Sequence, residues 1–293
     1  MVVNQLTDSL RISKVKILSA IENDAVRSAL SSQLQLSFVA LGIQEDAAES
    51  AVNEFLDRTR RAEDLRSAER QVKDLLRHLN LEQRIDQGLG HRSELIHSQV
   101  RKHLVGPRVL DLGCGDGRVA DLVARDGYEV QMSDIVDYRS PSVNLPFVKP
   151  VEGESLPFAS SSFDTVLLLT VMHHANCPLQ VFAEALRVSR GRIIVIESVF
   201  GVQPAEVPRG DDRAHAFVNL GDAQAQFLAF IDWFYNRVLH DEVQVPFKFN
   251  SPAGWREVFK DFGARELLVE HLGLDQPLVP EYHTLHIVEK ALS

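Results

Sequence analysis

Three glycines, Gly113, Gly115 and Gly117, alternate with Cys114 and Asp116 directly after the apolar run at 108–112, whose end carries Asp111. Glycine lets the chain turn sharply there and lets a ligand approach with no Cβ in its path. A helix opening after such a corner turns its unpaired amides and positive dipole end toward the crevice. Two ligand types use this device. A dinucleotide needs Gly-x-Gly-x-x-Gly around its pyrophosphate, and Arg118 occupies the sixth position, so that fingerprint fails. The spacing present is Asp-x-Gly-x-Gly-x-Gly, and an acid at that place suits an ammonium group better than a diphosphate.

Other residues with chemical capacity lie further on. His173 and His174 follow the run "FDTVLLLTVM", and histidine titrates close enough to neutrality to take a proton. An aromatic stretch offers Trp233, Tyr235, Asn236 and His240 as groups able to contact a second substrate, with Asp232 and Asp241 beside them. His283 is a further candidate of this kind. His283 and His286, three apart on one strand, point to opposite faces, which argues against both serving one metal, and no metal is expected. Neither a Gly-x-Ser-x-Gly elbow nor a phosphate loop ending in Gly-Lys-Ser/Thr occurs.

The elements that must position these residues can be read from pattern. Residues 1–104 contain no proline and read as helical; Leu65, Ala68, Val72, Leu75 and Leu79 recur at spacings of three and four on one stripe. Gly106-Pro107 breaks the helical texture. Beyond it, "RVLDL", "YEVQMSD", "FDTVLLLTVM" and "GRIIVIESVF" alternate with helices starting near Gly117 and Pro178, which implies crossover units and a mostly parallel sheet. Val166 to Leu169 suit a strand buried on both faces. Residues 203–246 interrupt this rhythm with helical, aromatic sequence. A lid or pocket wall accounts for it, and an ordinary helix burying its aromatics accounts for it equally well. "ARELLVEHL" and "YHTLHIVEK" read as two closing strands.

On these motifs the chain resembles the class I S-adenosylmethionine-dependent methyltransferases, of the type seen in ubiquinone and menaquinone biosynthesis. "VLDLGCGDG" is similar to the family's first motif, and "YEVQMSD" ends at Asp134, where the family places an acid on the ribose hydroxyls. "VEGESLPFASSSFDTVLLLTVMHH" resembles the segment carrying the adenine contact; by that match Glu152 accepts from the adenine amine and Gly153 borders the ring, with glutamate standing where aspartate is commoner. The resemblance implies an α/β, Rossmann-like fold with a seven-stranded, mostly parallel sheet and helices on both faces. It covers residues 105–293, with the insert at 203–246, behind a helical amino-terminal cap at 1–104 that helps set specificity. It implies S-adenosylmethionine held by Asp111, Gly113, Gly115, Gly117, Asp134, Glu152, Gly153 and Thr170. His173 and His174 are the candidate bases, and alternatively part of the donor pocket wall.

The implied reaction is in-line transfer of a methyl group to oxygen, nitrogen or carbon of a small molecule. Two alternatives keep the same pocket: consumption of the donor by attack of its own amino group or carboxylate, and donor sensing without turnover. A formal charge of −10 with no run of five Lys/Arg disfavours nucleic acid. Two cysteines are too few for a disulfide framework, and no stretch has the length of a membrane span or the layout of a signal peptide. A cytoplasmic enzyme without a membrane partner is expected, with a homodimer left open.

Overall fold

Asn23 opens a helix by turning its Oδ1 onto the amides of Ala25 (3.0 Å) and Val26 (3.3 Å), which the helix itself cannot satisfy. Helix α1 (Asp24–Ala40) buries Val26, Leu30, Leu34 and Phe38, one residue per turn on a single stripe. It is followed by α2 (Glu45–Arg61), α3 (Leu65–Arg77) and α4 (Leu81–Val100). In α3 the buried stripe is Ala68, Val72 and Leu76, with Leu65 and Leu75 half-buried beside it; Leu79, also half-buried, lies past the helix end at Arg77. The computed structural model describes residues 18, 20–77, 79, 81–239, 243–276 and 278–290. Two compact units divide it. A helical unit takes residues 1–89, 198–252 and 271–283; a sheet unit takes 90–197, 253–270 and 284–293.

Among the described residues the sheet has seven strands: β1 (Arg108–Leu112), β2 (Glu129–Ser133), β3 (Phe147–Val148), β4 (Phe163–Leu169), β5 (Ser189–Ser198), β6 (Ala264–Gly273) and β7 (His283–Lys290). Their order is β3-β2-β1-β4-β5-β7-β6, and the pairs β1–β2, β1–β4, β2–β3 and β4–β5 are parallel. Parallel neighbours need crossovers. Helix α5 (Arg118–Arg125) follows β1 and packs on β2, while α6 (Pro178–Val188), opened by proline in its first turn, packs on β4. Val166, Leu167 and Leu168 have no exposed surface, as a strand covered on both faces requires. The expected strand through Met172 stops instead at Leu169. Thr170 turns left-handed (φ 59°), and Met172–His174 form a 3-10 turn. The two-residue β3 had no sequence signal of its own.

In the helical unit α7 (Asp212–Val218) precedes α8 (Gln224–Trp233), and α8 runs on into a π-helical turn, Phe234–Leu239. Helix α8 buries Phe227, Leu228, Ala229, Phe230, Ile231 and Trp233, apolar nearly all round, as a central helix must be. Phe55 of α2 lies 5.7 Å from Phe230 and 4.7 Å from Phe234, ring centre to ring centre. Trp233 donates its indole N–H to Glu69 (3.1 Å). The aromatics of 203–246 are thus core of this unit, as the second reading of that stretch had it. A further helix, α9 (Pro252–Asp261), buries Trp255, Val258 and Phe259.

Candidate donor-binding site

The strand order reverses between β1 and β4, and open parallel sheets bind ligands in the crevice at the carboxyl ends of the strands flanking such a reversal. The glycine corner stands there, and its three glycines are required for three different reasons. A Cβ on Gly113 would sit 2.6 Å from the methyls of Val171, so that position is closed by packing against the loop after β4. One on Gly117, at the N-cap of α5 with φ 75°, would meet Met132 Sδ at 2.9 Å. Gly115, φ 51°, has nothing within 4 Å of the corresponding point. Its requirement is conformational, and it borders open space that a ligand can fill.

Asp134, just past β2, is clipped to this corner. Its Oδ2 accepts from the Gly115 amide at 2.9 Å, and the amides of Gly113 (2.7 Å) and Cys114 (3.3 Å) donate to the Ser133 carbonyl. Each carboxylate oxygen keeps a further lone pair for a hydroxyl donor. Burial pushes the Asp134 carboxyl up, against the pull of the Gly115, Val136 and Ile135 amides. Asp111, 2% exposed at the end of β1, is pushed up to about 7 by burial first and then by the neighbouring Asp134 and Asp116 carboxylates. A desolvated acid in a crevice is a site for a cation. The residues are of a kind that fits S-adenosylmethionine, which carries hydroxyls and a cation: open space at Gly115, an acid with spare acceptors at Asp134, and a buried acid at Asp111.

Thr170 donates to the Leu169 carbonyl (2.6 Å) and accepts from the guanidinium of Arg92 on α4 (3.1 Å). Arg92 carries no local motif, and 78 residues separate it from Thr170, so nothing in the sequence pointed to it. Glu152 and Gly153 lie on an exposed turn held to the α6 side. Asn176 donates to Glu152 (2.7 Å), and Gln180 donates to the Gly153 carbonyl (2.7 Å).

His173 is buried, its Nδ1 2.6 Å from Glu197 Oε2. Glu197, near the end of β5 and without exposed surface, also accepts from the amides of Val171 (3.1 Å), Met172 (2.8 Å) and His173 (3.3 Å). Burial pushes its carboxyl up to about 7 despite these bonds. Glu197 was not among the candidates, although the acid in the apolar run "RIIVIES" was the available signal. His174 is half-buried, its ring 4.1 Å from that of His173.

The other candidates belong to the helical unit. Trp233 and Tyr235 are buried there, Asn236 donates to Asp232 Oδ1 (2.7 Å), and His283 Nδ1 lies 3.0 Å from Asp275. His283 and His286 do diverge, His286 pairing instead with Glu266 (2.6 Å) in the sheet unit. His240 and Asp241 lie outside the described residues.

Two expected results follow from this geometry. Gly115→Ala should cost only about 1–2 kcal/mol of stability, the left-handed strain alone, yet weaken ligand binding at the corner. Gly113→Ala should lose more stability because Val171 must move. Thermal melts with and without S-adenosylhomocysteine separate the two. The second concerns pH. Asp111 and Glu197 hold protons up to about pH 7 when folded and release them near 4 when unfolded, so the native state binds more protons in that window. Stability of the ligand-free protein should therefore fall as pH rises from 5.5 to 7 and level off above. Asp111→Asn should flatten that slope.

Residues 110–195 match the family model described as methyltransferase domain. The chain is 31% identical over 110 residues to an uncharacterized protein of Methanocaldococcus jannaschii, covering 36% of this chain and 50% of that one. It is 28% identical over 163 residues to the demethylmenaquinone methyltransferase of Renibacterium salmoninarum, covering 44% and 67%. The chain thus spans about half the length of the first of these relatives. A solved SAM-dependent methyltransferase from Methanosarcina mazei superposes with a TM-score of 0.48 at 16% identity, over 66% of this chain and 97% of that one. Among the described residues no helix is long and apolar enough to cross a membrane.

Proposed function

We propose that the protein transfers a methyl group from S-adenosylmethionine to a small organic acceptor by in-line displacement. The observation that carries this reading is the clip between Asp134 Oδ2 and the Gly115 amide, which fixes a carboxylate beside an open glycine corner at the switch of the sheet. Asp134 would take the ribose hydroxyls, Asp111 the amino group, and the Arg92 guanidinium at Thr170 the carboxylate. Glu152 and Gly153 would border the adenine. Bound there, the sulfonium supplies an already activated methyl group. What the chain must add is alignment, worth up to roughly 7–11 kcal/mol of barrier in favourable cases. The hold of Glu197 on His173 supports assigning any base role to His174 and a positioning role to His173. The demethylmenaquinone methyltransferase likeness supports a small-molecule acceptor rather than nucleic acid.

Calorimetry should show binding of both S-adenosylmethionine and S-adenosylhomocysteine; failure to bind either overturns the reading. Mass spectrometry after incubation with the donor alone should show no methylthioadenosine. Its release would replace methyl transfer by self-consumption of the donor.

A further inference from the structure

Residues 149–162, between β3 and β4, form no helix or strand, and they carry Glu152 and Gly153. No ladder satisfies the backbone polar groups of this stretch, and a connection that long calls for a reason. One helix supplies the partners. Gln180, Glu184 and Arg187 of α6 recur at spacings of four and three and so lie on one stripe. Asn176 stands four residues ahead of Gln180, just before the helix.

Each member of that series takes hold of the connection one step further on. Asn176 Nδ2 donates to Glu152 Oε1 (2.7 Å), and Gln180 Nε2 donates to the Gly153 carbonyl (2.7 Å). Glu184 Oε2 accepts from the Leu156 amide (2.7 Å), while Arg187 donates to the carbonyls of Leu156 (2.9 Å) and Phe158 (2.7 Å). Glu184 and Arg187 also grip each other through two bonds, at 2.9 and 2.8 Å, in the fork that suits a guanidinium to a carboxylate. The Arg187 guanidinium holds the Glu184 carboxyl below the usual carboxylate range and so keeps it charged. The contacts run in order, 176, 180, 184 and 187 against 152, 153, 156 and 158, as on a rack.

Asn176 grips a side chain of the connection, and the other three grip its main chain. That difference decides what the rack can do. A carboxylate held through one oxygen keeps lone pairs on the other, and it can only accept. Glu152 so held suits an exocyclic amine and repels a carbonyl oxygen in the same place. We propose that this stripe of α6 sets the nucleobase selectivity of the donor site: Asn176 aims the Glu152 carboxylate, and Gln180 with the Glu184–Arg187 pair holds the main chain that carries it. These four are positioning residues. The inference rests on the methyltransferase reading for the nucleoside that Glu152 meets; the rack itself stands on the sheet unit alone.

The test is calorimetric titration of the full chain with S-adenosylhomocysteine and with S-inosylhomocysteine, in which a carbonyl replaces the 6-amine. The wild type should favour the adenosyl ligand at least tenfold, since a group placed to accept a hydrogen bond discriminates against the analogue that cannot donate it. Asn176→Ala should lower that ratio at least threefold. The ratio compares two ligands on one protein, so a loss of folded material does not move it. In Glu184→Ala the Leu156 amide should exchange its hydrogen at least tenfold faster than in the wild type. The proposal is overturned if the wild type binds both ligands equally, if Asn176→Ala keeps the wild-type ratio, or if the Leu156 amide of Glu184→Ala exchanges no faster. A wild type that binds no S-adenosylhomocysteine removes the methyltransferase reading and this inference with it. Binding with a ratio unmoved by Asn176→Ala removes this inference and leaves that reading in place.

Discussion

Asp134→Ala is expected to weaken S-adenosylhomocysteine binding by about a hundredfold or more, the largest loss for any single side chain at the glycine corner. Two effects combine. The carboxylate's spare lone pairs are the acceptors available to a pair of hydroxyls, and hydrogen bonds to a charged group contribute about 1.5–3 kcal/mol each, with roughly 1.4 kcal/mol to each tenfold in affinity. The same side chain also ties the Gly115 amide to β2 (2.9 Å), so its removal frees the one glycine of the corner that nothing packs against. Asp134→Asn separates these contributions. An amide oxygen can still accept from Gly115, but only one acceptor remains, so affinity should drop about tenfold. Stability should hold or rise, because burial already disfavours the carboxylate. An unchanged affinity in Asp134→Ala would remove the ribose assignment and with it the placement of the donor.

How far the sequence carried this site follows from how local each signal is. The placement of the glycine corner, Asp111 and Asp134 at one edge of the sheet was legible because it is written into a strand–turn–helix of a few residues, where backbone conformation dictates residue type. The parallel sheet was legible for the same reason: crossover spacing and unbroken apolar runs such as Val166–Leu169 leave few alternatives. Arg92, Glu197 and the contact of Arg213 with Gln33 were not. Arg92 meets Thr170 across 78 residues and Arg213 meets Gln33 across 180. No periodicity records such a meeting. The end of β4 was missed because Thr170 is β-branched and reads as strand, whereas the chain there turns left-handed against propensity. A β-branched residue held at positive φ is a strained one, and it sits at the switch of the sheet, where strain accompanies function.

That strain is held in place by Glu197, and Glu197→Ala is expected to be the most destabilising single substitution in the sheet unit. The carboxylate gathers the amides of Val171, Met172 and His173 and the Nδ1 of His173, four donors in one buried place. Deleting it leaves them without acceptors in a site that offers little water. At about 1–3 kcal/mol for each buried donor left unmatched, and with partial relaxation, the loss should reach about 4 kcal/mol. For a protein of this size that corresponds to a fall of about 8–16 °C in melting temperature. The consequence reaches the glycine corner through Val171, whose methyls close against Gly113. Loosening the 170–174 turn should weaken S-adenosylhomocysteine binding as well, although Glu197 is not expected to touch the ligand. Glu197→Gln retains the shape and one acceptor oxygen. It should fall between wild type and alanine in stability and, lacking a titrating group, reduce the decline of stability between pH 5.5 and 7. A Glu197→Ala protein that melts within 2 °C of wild type, in differential scanning calorimetry at pH 7, would show that the turn after β4 is secured by something other than this carboxylate.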